Sequence, residues 1–289
     1  MNREQLSPAG GFRFAFLPCI HFRFDLNAPR GLQACLAAVN GLDPKPDFLL
    51  TGGDVCHSLR SETLDCSRER IARFQEIWSA AMQIPAYHCL GNHDLAAWND
   101  PEAAKDPDFG KGLLVKALEM PGPHYSFDHG GWHFAVLDYL KLEAPGRFSP
   151  ELDAGQLDWL RQDLQRVGSK PTILVSHAPF LTAYEAYTDR GIESDKGRIA
   201  PYGRVVKDFP AIEKILDDSG ANVRGLISGH LHILEEIHYG GRRFICSGSV
   251  SGNQWKGPRL GCPEGFGVLD CQPDGTFQFT YRDYGWSSG

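Results

Sequence analysis

The sequence predicts an α/β protein. Three observations carry that reading: short apolar runs that end at Gly or Pro, amphipathic stretches of helical spacing between them, and no internal repeat or low-complexity linker. The 289 residues are 42% hydrophobic and 22% charged, ordinary values for a globular chain. That length fills one large α/β domain or two small ones. A single domain over residues 12–289, preceded by a flexible arm over residues 1–11, is the simplest division.

Arg13-Phe14-Ala15-Phe16-Leu17 is an apolar run closed by Pro18 and reads as a buried strand. Residues 31–40 follow with helical spacing through Leu32, Cys35, Leu36 and Val39. Phe48-Leu49-Leu50 is a second strand, closed by Gly52-Gly53. Residues 68–82 repeat Ile71, Phe74, Ile77 and Trp78 as one helix face. Residues 86–90 form a third strand ending at Gly91. After an irregular stretch, residues 125–128 and 132–137 read as a hairpin around Gly130-Gly131. Residues 156–167 are an amphipathic helix turning Leu157, Leu160 and Leu164 inward. Residues 172–175 are a strand, 211–217 a helix and 223–227 a strand, and the tail over 235–284 is strand-rich. Residues 178–210 show little apolar periodicity but hold Tyr184, Tyr187, Tyr202, Arg190, Arg198 and Arg204. A connection that long in a compact domain is commonly functional or mobile.

Several classes drop out. No apolar run approaches the roughly 18–20 residues of a membrane span, and the first residues lack the basic-then-apolar order of an export signal. A net charge of −7 argues against a dedicated nucleic-acid binder. It leaves small phosphorylated substrates open, provided bound metal supplies local positive charge. The cysteines are Cys19, Cys35, Cys56, Cys66, Cys89, Cys246, Cys262 and Cys271, with no C-x-x-C pair. Reduced thiols in a cytoplasmic setting are the expectation.

The polar residues of interest sit where strands end. Cys19 and His21 follow the first strand, Asp54 the second, and Asn92, His93 and Asp94 the third; His177 follows 172–175, and His230 and His232 follow 223–227. Ligands of open α/β sheets gather at the carboxyl ends of the strands. Neutral imidazole is the commonest protein metal ligand. Each of these residues taken singly has a bland reading, a lone histidine as a packed or surface residue and a lone Gly-Asp as a turn. Their joint recurrence after five strands is hard to obtain from packing needs alone.

In order, the motifs are Cys19-Ile20-His21, Gly53-Asp54, Gly91-Asn92-His93-Asp94, Ser176-His177-Ala178-Pro179 and Gly229-His230-Leu231-His232. This series resembles the calcineurin-like metallophosphoesterases, whose pattern is D-x-H, G-D, G-N-H-[DE], a lone H and G-H-x-H. The resemblance spans residues 12–284 and includes GGWHFAVLD, LDAGQLDWLRQDL and CSGSVSGNQWKGP, stretches similar to bacterial members. It implies a four-layer α/β/β/α sandwich with two central mixed sheets. It implies that Asp54 bridges two metal ions, that His21, His232 and position 19 hold the first, and that Asn92, His177 and His230 complete the second. His93 would bind no metal but face the scissile phosphate, stabilising charge or protonating the leaving oxygen. Two cations about 3.5–4 Å apart screen an anionic ester and hold a hydroxide for in-line attack. The pKa of a bound water falls from about 15.7 toward 7 on zinc.

Two positions depart from the pattern. Cys19 stands where the family has aspartate. It reads as a thiolate ligand, as a neutral buried thiol that leaves the first ion short of a ligand, or as the mark of an empty first site. A thiolate favours iron or zinc over harder ions, so Fe and/or Zn, with Mn as a further option, are the metals expected. His57 stands near where many relatives carry an acid that orients the histidine of the Asn-His pair, so what orients His93 is open. Tyr184, Tyr187, Arg190, Trp98, Trp255 and Lys256 are weaker pocket candidates. The stretch 247–252 lacks the Lys-Ser/Thr of a phosphate-binding P-loop and reads as a tight turn beside the metals.

The function expected is phosphomonoester or phosphodiester hydrolysis by a metal-bound hydroxide on a small phosphorylated substrate. A cyclic-nucleotide or other nucleotide phosphodiesterase is the nearest alternative. A non-hydrolytic metal-binding scaffold is the alternative of another class; Cys19 keeps it open and His93 speaks against it.

Overall fold

Phe12–Leu17 (β1) is buried along its whole length, as a strand covered on both faces must be. The computed structural model describes residues 10–82, 84–184, 192–195 and 197–287; most of the expected N-terminal arm, together with Tyr187 and Arg190, lies outside them. In the first sheet β1 runs parallel to β2 (Phe48–Gly52), and β2 to β3 (Ala86–Cys89). The antiparallel pair β14 (Gly265–Cys271) and β15 (Phe277–Asp283) extends it from β1, in the order β15-β14-β1-β2-β3.

The second sheet has a parallel centre of β5 (Trp132–Val136), β8 (Pro171–Val175), β11 (Asn222–Ser228) and β13 (Arg242–Cys246). Antiparallel strands close its edges, β4 (Tyr125–His129) on β5 and β12 (Glu235–Tyr239) on β13. The period of two along these strands decides which layer each side chain enters. Phe134, Ile173, Ile227 and Ile245 join the apolar cluster of the first sheet, while Ala135, Leu174, Leu226 and Phe244 join a second cluster behind them. Phe134 meets Phe14 and Phe48 edge-on, both with ring centroids 5.4 Å away, the aromatic geometry favoured between quadrupoles.

Helices cover both outer faces. α1 (Ala28–Asn40) buries Leu32, Cys35, Leu36 and Val39, and α2 (Leu64–Ala81) buries Ile71, Phe74 and Ile77, all in the first cluster. A short α3 (Gly112–Ala117) adds Leu113 and Leu114 there. α4 (Ala154–Val167) and α5 (Phe209–Asp218) supply Leu160, Leu164, Ile212, Ile215 and Leu216 to the second. The layering is α/β/β/α around two mixed sheets, as the resemblance implied. No described helix is long and apolar enough to cross a membrane, and no disulfide joins any of the cysteines.

The differences from the sequence reading have local causes. α2 begins four residues earlier than its apolar spacing suggests, because Thr63 caps it by accepting from the N–H of Cys66. Asp153 does the same for α4 through Gln156. The hairpin β6 (Leu140–Ala144) and β7 (Arg147–Pro150), and the hairpin β9 (Ile192–Ser194) and β10 (Gly197–Ile199), lie in stretches to which no element was given. Each pairs only with its own partner strand, outside the two large sheets.

Candidate metal centre

The parallel strands β1, β2 and β3 and the parallel strands β8 and β11 end at one shared rim. The loops beyond them are laced together. The N–H groups of Cys19, His21 and Phe22 donate to the carbonyls of Gly53, Asp54 and Val55 across 2.9, 2.8 and 2.9 Å. Gly53 must be glycine, since its φ is +82° and a Cβ there would stand 2.6 Å from Nδ1 of His177.

Five side chains at this rim sit on left-handed backbone. Cys19, His21, Asp54, His230 and His232 have φ between 48° and 67°. Each such residue costs about 1–3 kcal/mol, and such strain gathers at functional sites. The segment 249–251 holds the first of them: the hydroxyls of Ser249 and Ser251 donate to the Cys19 carbonyl at 3.0 and 2.8 Å. That stretch is therefore a structural turn beneath Cys19. Trp255 is fully buried and donates its indole N–H to the His21 carbonyl at 3.1 Å. Trp98 is packed in the second apolar cluster.

The side chains converge. Donor atoms of Cys19, His21 and His232 lie within 4.8 Å of one another, and so do those of Cys19, Asp54 and His177. Nε2 of His21 is 3.1 Å from Nε2 of His232, and Nδ1 of His230 is 3.1 Å from Nε2 of His177. Oδ2 of Asp54 lies 3.1 Å from His177 and 3.5 Å from His21, between the two histidine groups. Asn92 and His93 line the same small pocket of about 170 Å³.

Backbone carbonyls fix which ring nitrogens carry protons, because a carbonyl only accepts. Nδ1 of His177 faces the Gly52 carbonyl at 2.7 Å, Nδ1 of His232 the Gly252 carbonyl at 2.5 Å, and Nε2 of His230 the Gly203 carbonyl at 3.0 Å. In the neutral rings the opposite nitrogens are bare lone pairs, and those of His177 and His230 point at each other. Burial disfavours relief by protonation. It holds His21 and His230 well below the ordinary imidazole value and takes His232 down to about 3. At His177 burial is outweighed by the Asp54 carboxylate, which raises it. Burial also opposes the charge on Asp54, yet His177, His93 and His21 hold that carboxyl well below its usual range. Facing ring nitrogens beside a carboxylate suit a shared cation, either a metal ion or the proton that Asp54 favours on His177.

Cys19 is fully buried and its Sγ accepts the N–H of His230 at 3.0 Å. Burial, with Asp54 nearby, pushes its thiol well up, so only a strong local positive charge would hold it as thiolate. His93 donates its own backbone N–H to Oδ1 of Asp54 at 2.8 Å. Its Nδ1 receives the backbone N–H of Ser58 at 3.2 Å, which places the ring proton on Nε2. Ser58 is thus what orients His93. Asp94 does not: its carboxylate accepts from the N–H groups of Cys56 and Gly91 at 3.1 and 2.9 Å, and burial raises it to about 7. His57 stacks on His93 with centroids 5.4 Å apart and planes 18° apart.

Sequence reading missed four kinds of contributor. Tyr139 is fully buried and donates its hydroxyl to Oδ1 of Asn92 at 3.2 Å. Ser58 was overlooked because a backbone donor has no sequence signature. Arg204 and Arg259 line the pocket, as do Asn253 and Gln254. Of these, Arg204 lies in a stretch already marked by its arginines, Asn253 and Gln254 lie in the stretch CSGSVSGNQWKGP, and only Arg259 belongs to no motif.

The calcineurin-like phosphoesterase model matches residues 12–234. The chain belongs to that family. It is a metal-dependent phosphoester hydrolase. It is 24% identical to a 3′,5′-cyclic-nucleotide phosphodiesterase of Nostoc sp. over 87% of this chain and 82% of the relative. It is 28% identical to the serine/threonine-protein phosphatase CPPED1 of Mus musculus over 69% of this chain and 58% of that protein. Among solved structures, a dimetal phosphatase from Danio rerio shares the fold at a TM-score of 0.67 with 13% identity, covering 96% of this chain and 97% of that one. GAP50, the anchor in the inner membrane complex of Plasmodium, shares it at 0.56 with 14% identity, over 95% and 85%.

Proposed function

We propose that this hydrolase works through two ions: Cys19, His21 and His232 hold one, Asn92, His177 and His230 hold the other, and Asp54 bridges them. The facing ring nitrogens of His177 and His230, each ring tied to a backbone carbonyl and set beside Asp54, carry this reading. A thiolate in the first set favours iron or zinc, with manganese the harder alternative. When bound, the ions supply the positive charge that screens an anionic ester and acidifies a water near neutral pH.

The chain's own groups do the rest. Asp54 keeps the two histidine groups facing one centre, and Tyr139 aims the Asn92 carbonyl. His93 serves as a neutral donor: Ser58 occupies Nδ1 with an N–H, so a second proton there would set two donors against each other. Its Nε2–H is left to hydrogen-bond the charge that develops on the ester oxygens. Arg204 and Arg259 line the same pocket and add positive charge for the phosphoryl oxygens.

The test combines turnover with metal counting. Hydrolysis of p-nitrophenyl phosphate and of its bis ester, with Fe, Zn or Mn and two ions per chain by plasma mass spectrometry, supports the reading. One ion per chain removes the two-ion part. Binding without turnover of either ester favours the scaffold reading, which has GAP50 as an anchor on the same fold. The similarity to a cyclic-nucleotide phosphodiesterase makes 3′,5′-cyclic AMP the natural third substrate to assay.

A further inference from the structure

The polar pocket that holds the phosphoryl end is small. Its 170 Å³ falls below the roughly 300–1,000 Å³ of ordinary ligand sites, so the organic part of an ester must lie outside it. A second cleft of about 580 Å³ opens beside it, lined by Tyr184, Ile233, Leu234, Glu235, Leu260 and neighbouring atoms. Two peptide links join the cavities. His232 lines the first and Ile233 the second; Arg259 lines the first and Leu260 the second.

The cleft is apolar where a surface would be polar. Leu234 is 46% and Leu260 68% exposed. A mostly apolar cleft with a few polar groups at its edge is the usual makeup of a ligand site. Leu260 is also misplaced by turn chemistry. Residues 259–262 close a two-residue turn, with Arg259 and Cys262 exchanging both backbone hydrogen bonds at 2.9 and 2.8 Å. Leu260 and Gly261 have φ of 51° and 79°, the left-handed pair in which Asn-Gly is favoured and leucine is strained. Leu260 thus combines exposure with left-handed backbone at the edge of the cleft. Part of the lining is held in place, since the N–H groups of Ala183 and Tyr184 both donate to Oε1 of Glu235 at 2.9 and 3.0 Å, and Tyr184 packs against the cluster of Leu231, Ile233 and Cys246.

We propose that this cleft is the subsite for the organic group of the substrate, and that the substrate is a phosphate ester of an apolar alcohol. The inference rests on the hydrolase reading of the pocket beside it. Leu260 is a specificity residue that touches the organic group and takes no part in the chemistry.

The experiment compares methyl, butyl and hexyl phosphate, and the matching 4-nitrophenyl alkyl diesters, on the metal-loaded protein. Binding of methyl- and hexylphosphonate is measured alongside by calorimetry. Each methylene that enters the cleft should raise kcat/KM about threefold to fourfold, and hexylphosphonate should bind correspondingly tighter. In Leu260→Asn the hexyl-to-methyl ratio should fall toward one, while the melting temperature holds or rises because asparagine suits the turn. A ratio near one in the wild-type protein, in turnover and in binding, overturns the inference and leaves the hydrolase reading intact. A ratio in Leu260→Asn equal to that of the wild type also overturns it. Absence of turnover with every ester sinks the hydrolase reading instead, and the phosphonate ratio then still decides the cleft.

Discussion

Nε2 of His177 and Nδ1 of His230 face each other across 3.1 Å while each ring's other nitrogen is tied to a backbone carbonyl. In the neutral rings two acceptors held this way repel, and a shared cation, a metal ion or the proton that Asp54 favours on His177, removes the repulsion. Metal should therefore stabilise the fold. An ion at about 100 times its dissociation constant contributes about 2.7 kcal/mol, which raises the melting temperature by about 5–10 °C for a domain near this size. Scanning fluorimetry with and without EDTA and added zinc checks this, and His177→Ala should lose most of the shift. A melting temperature indifferent to chelator and metal speaks against the site.

The thiol of Cys19 makes the second prediction. Cobalt-loaded wild-type protein should show a near-ultraviolet sulfur-to-metal charge-transfer band that Cys19→Asp lacks. Cys19→Asp should also shift bound-metal content toward manganese, since carboxylate oxygen is the harder ligand. Cys19→Ala, with no donor atom, should lose one ion per chain. Identical cobalt spectra for wild type and Cys19→Asp exclude the sulfur as a ligand.

His93 separates two kinds of catalysis. As a neutral donor fixed by Ser58, it is replaceable in part by another N–H donor. His93→Ala should lower kcat by about 10²–10³-fold, the usual effect of removing one charge-stabilising donor, with both ions retained. His93→Gln should recover a measurable part of that loss. Equal activity in the two variants would falsify the neutral-donor role and return His93 to proton transfer.

Away from the centre, His133 on β5 bridges Asp128 at 2.7 Å and Asp163 at 2.8 Å. Burial works against the charged ring, but the two carboxylates outweigh it and raise its pKa. A raised folded value means that stabilisation is complete below the unfolded value of about 6.5 and fades as pH rises through the folded one. Urea midpoints from pH 6 to 9 should show the advantage of wild type over His133→Gln shrinking as pH rises. An advantage that stays constant or grows contradicts the assignment.

Much of the fold is legible from spacing. The run at 13–17 and the helical repeat of Leu32, Cys35, Leu36 and Val39 state their burial directly, because periods of two and 3.6 are local. The order of motifs at strand ends likewise indicates a shared rim. Element starts set by Thr63 and Asp153 are less visible, since a cap is one polar residue among many. Ser58, Tyr139, Arg259 and Leu260 carry no pattern at all.

The chain's own order thus determined the alternation of strands and helices and the residue types at each strand end, since both follow from interactions within a few residues. The tertiary structure decided which nitrogens of His177, His230 and His232 are bare, that Ser58 rather than Asp94 orients His93, and that an apolar cleft shares two peptide links with the polar pocket. Those facts depend on groups dozens to hundreds of residues apart, such as Gly52 with His177 and Cys19 with His230, and short-range physics carries no information about such pairs until two sheets pack and bring their loops to one edge.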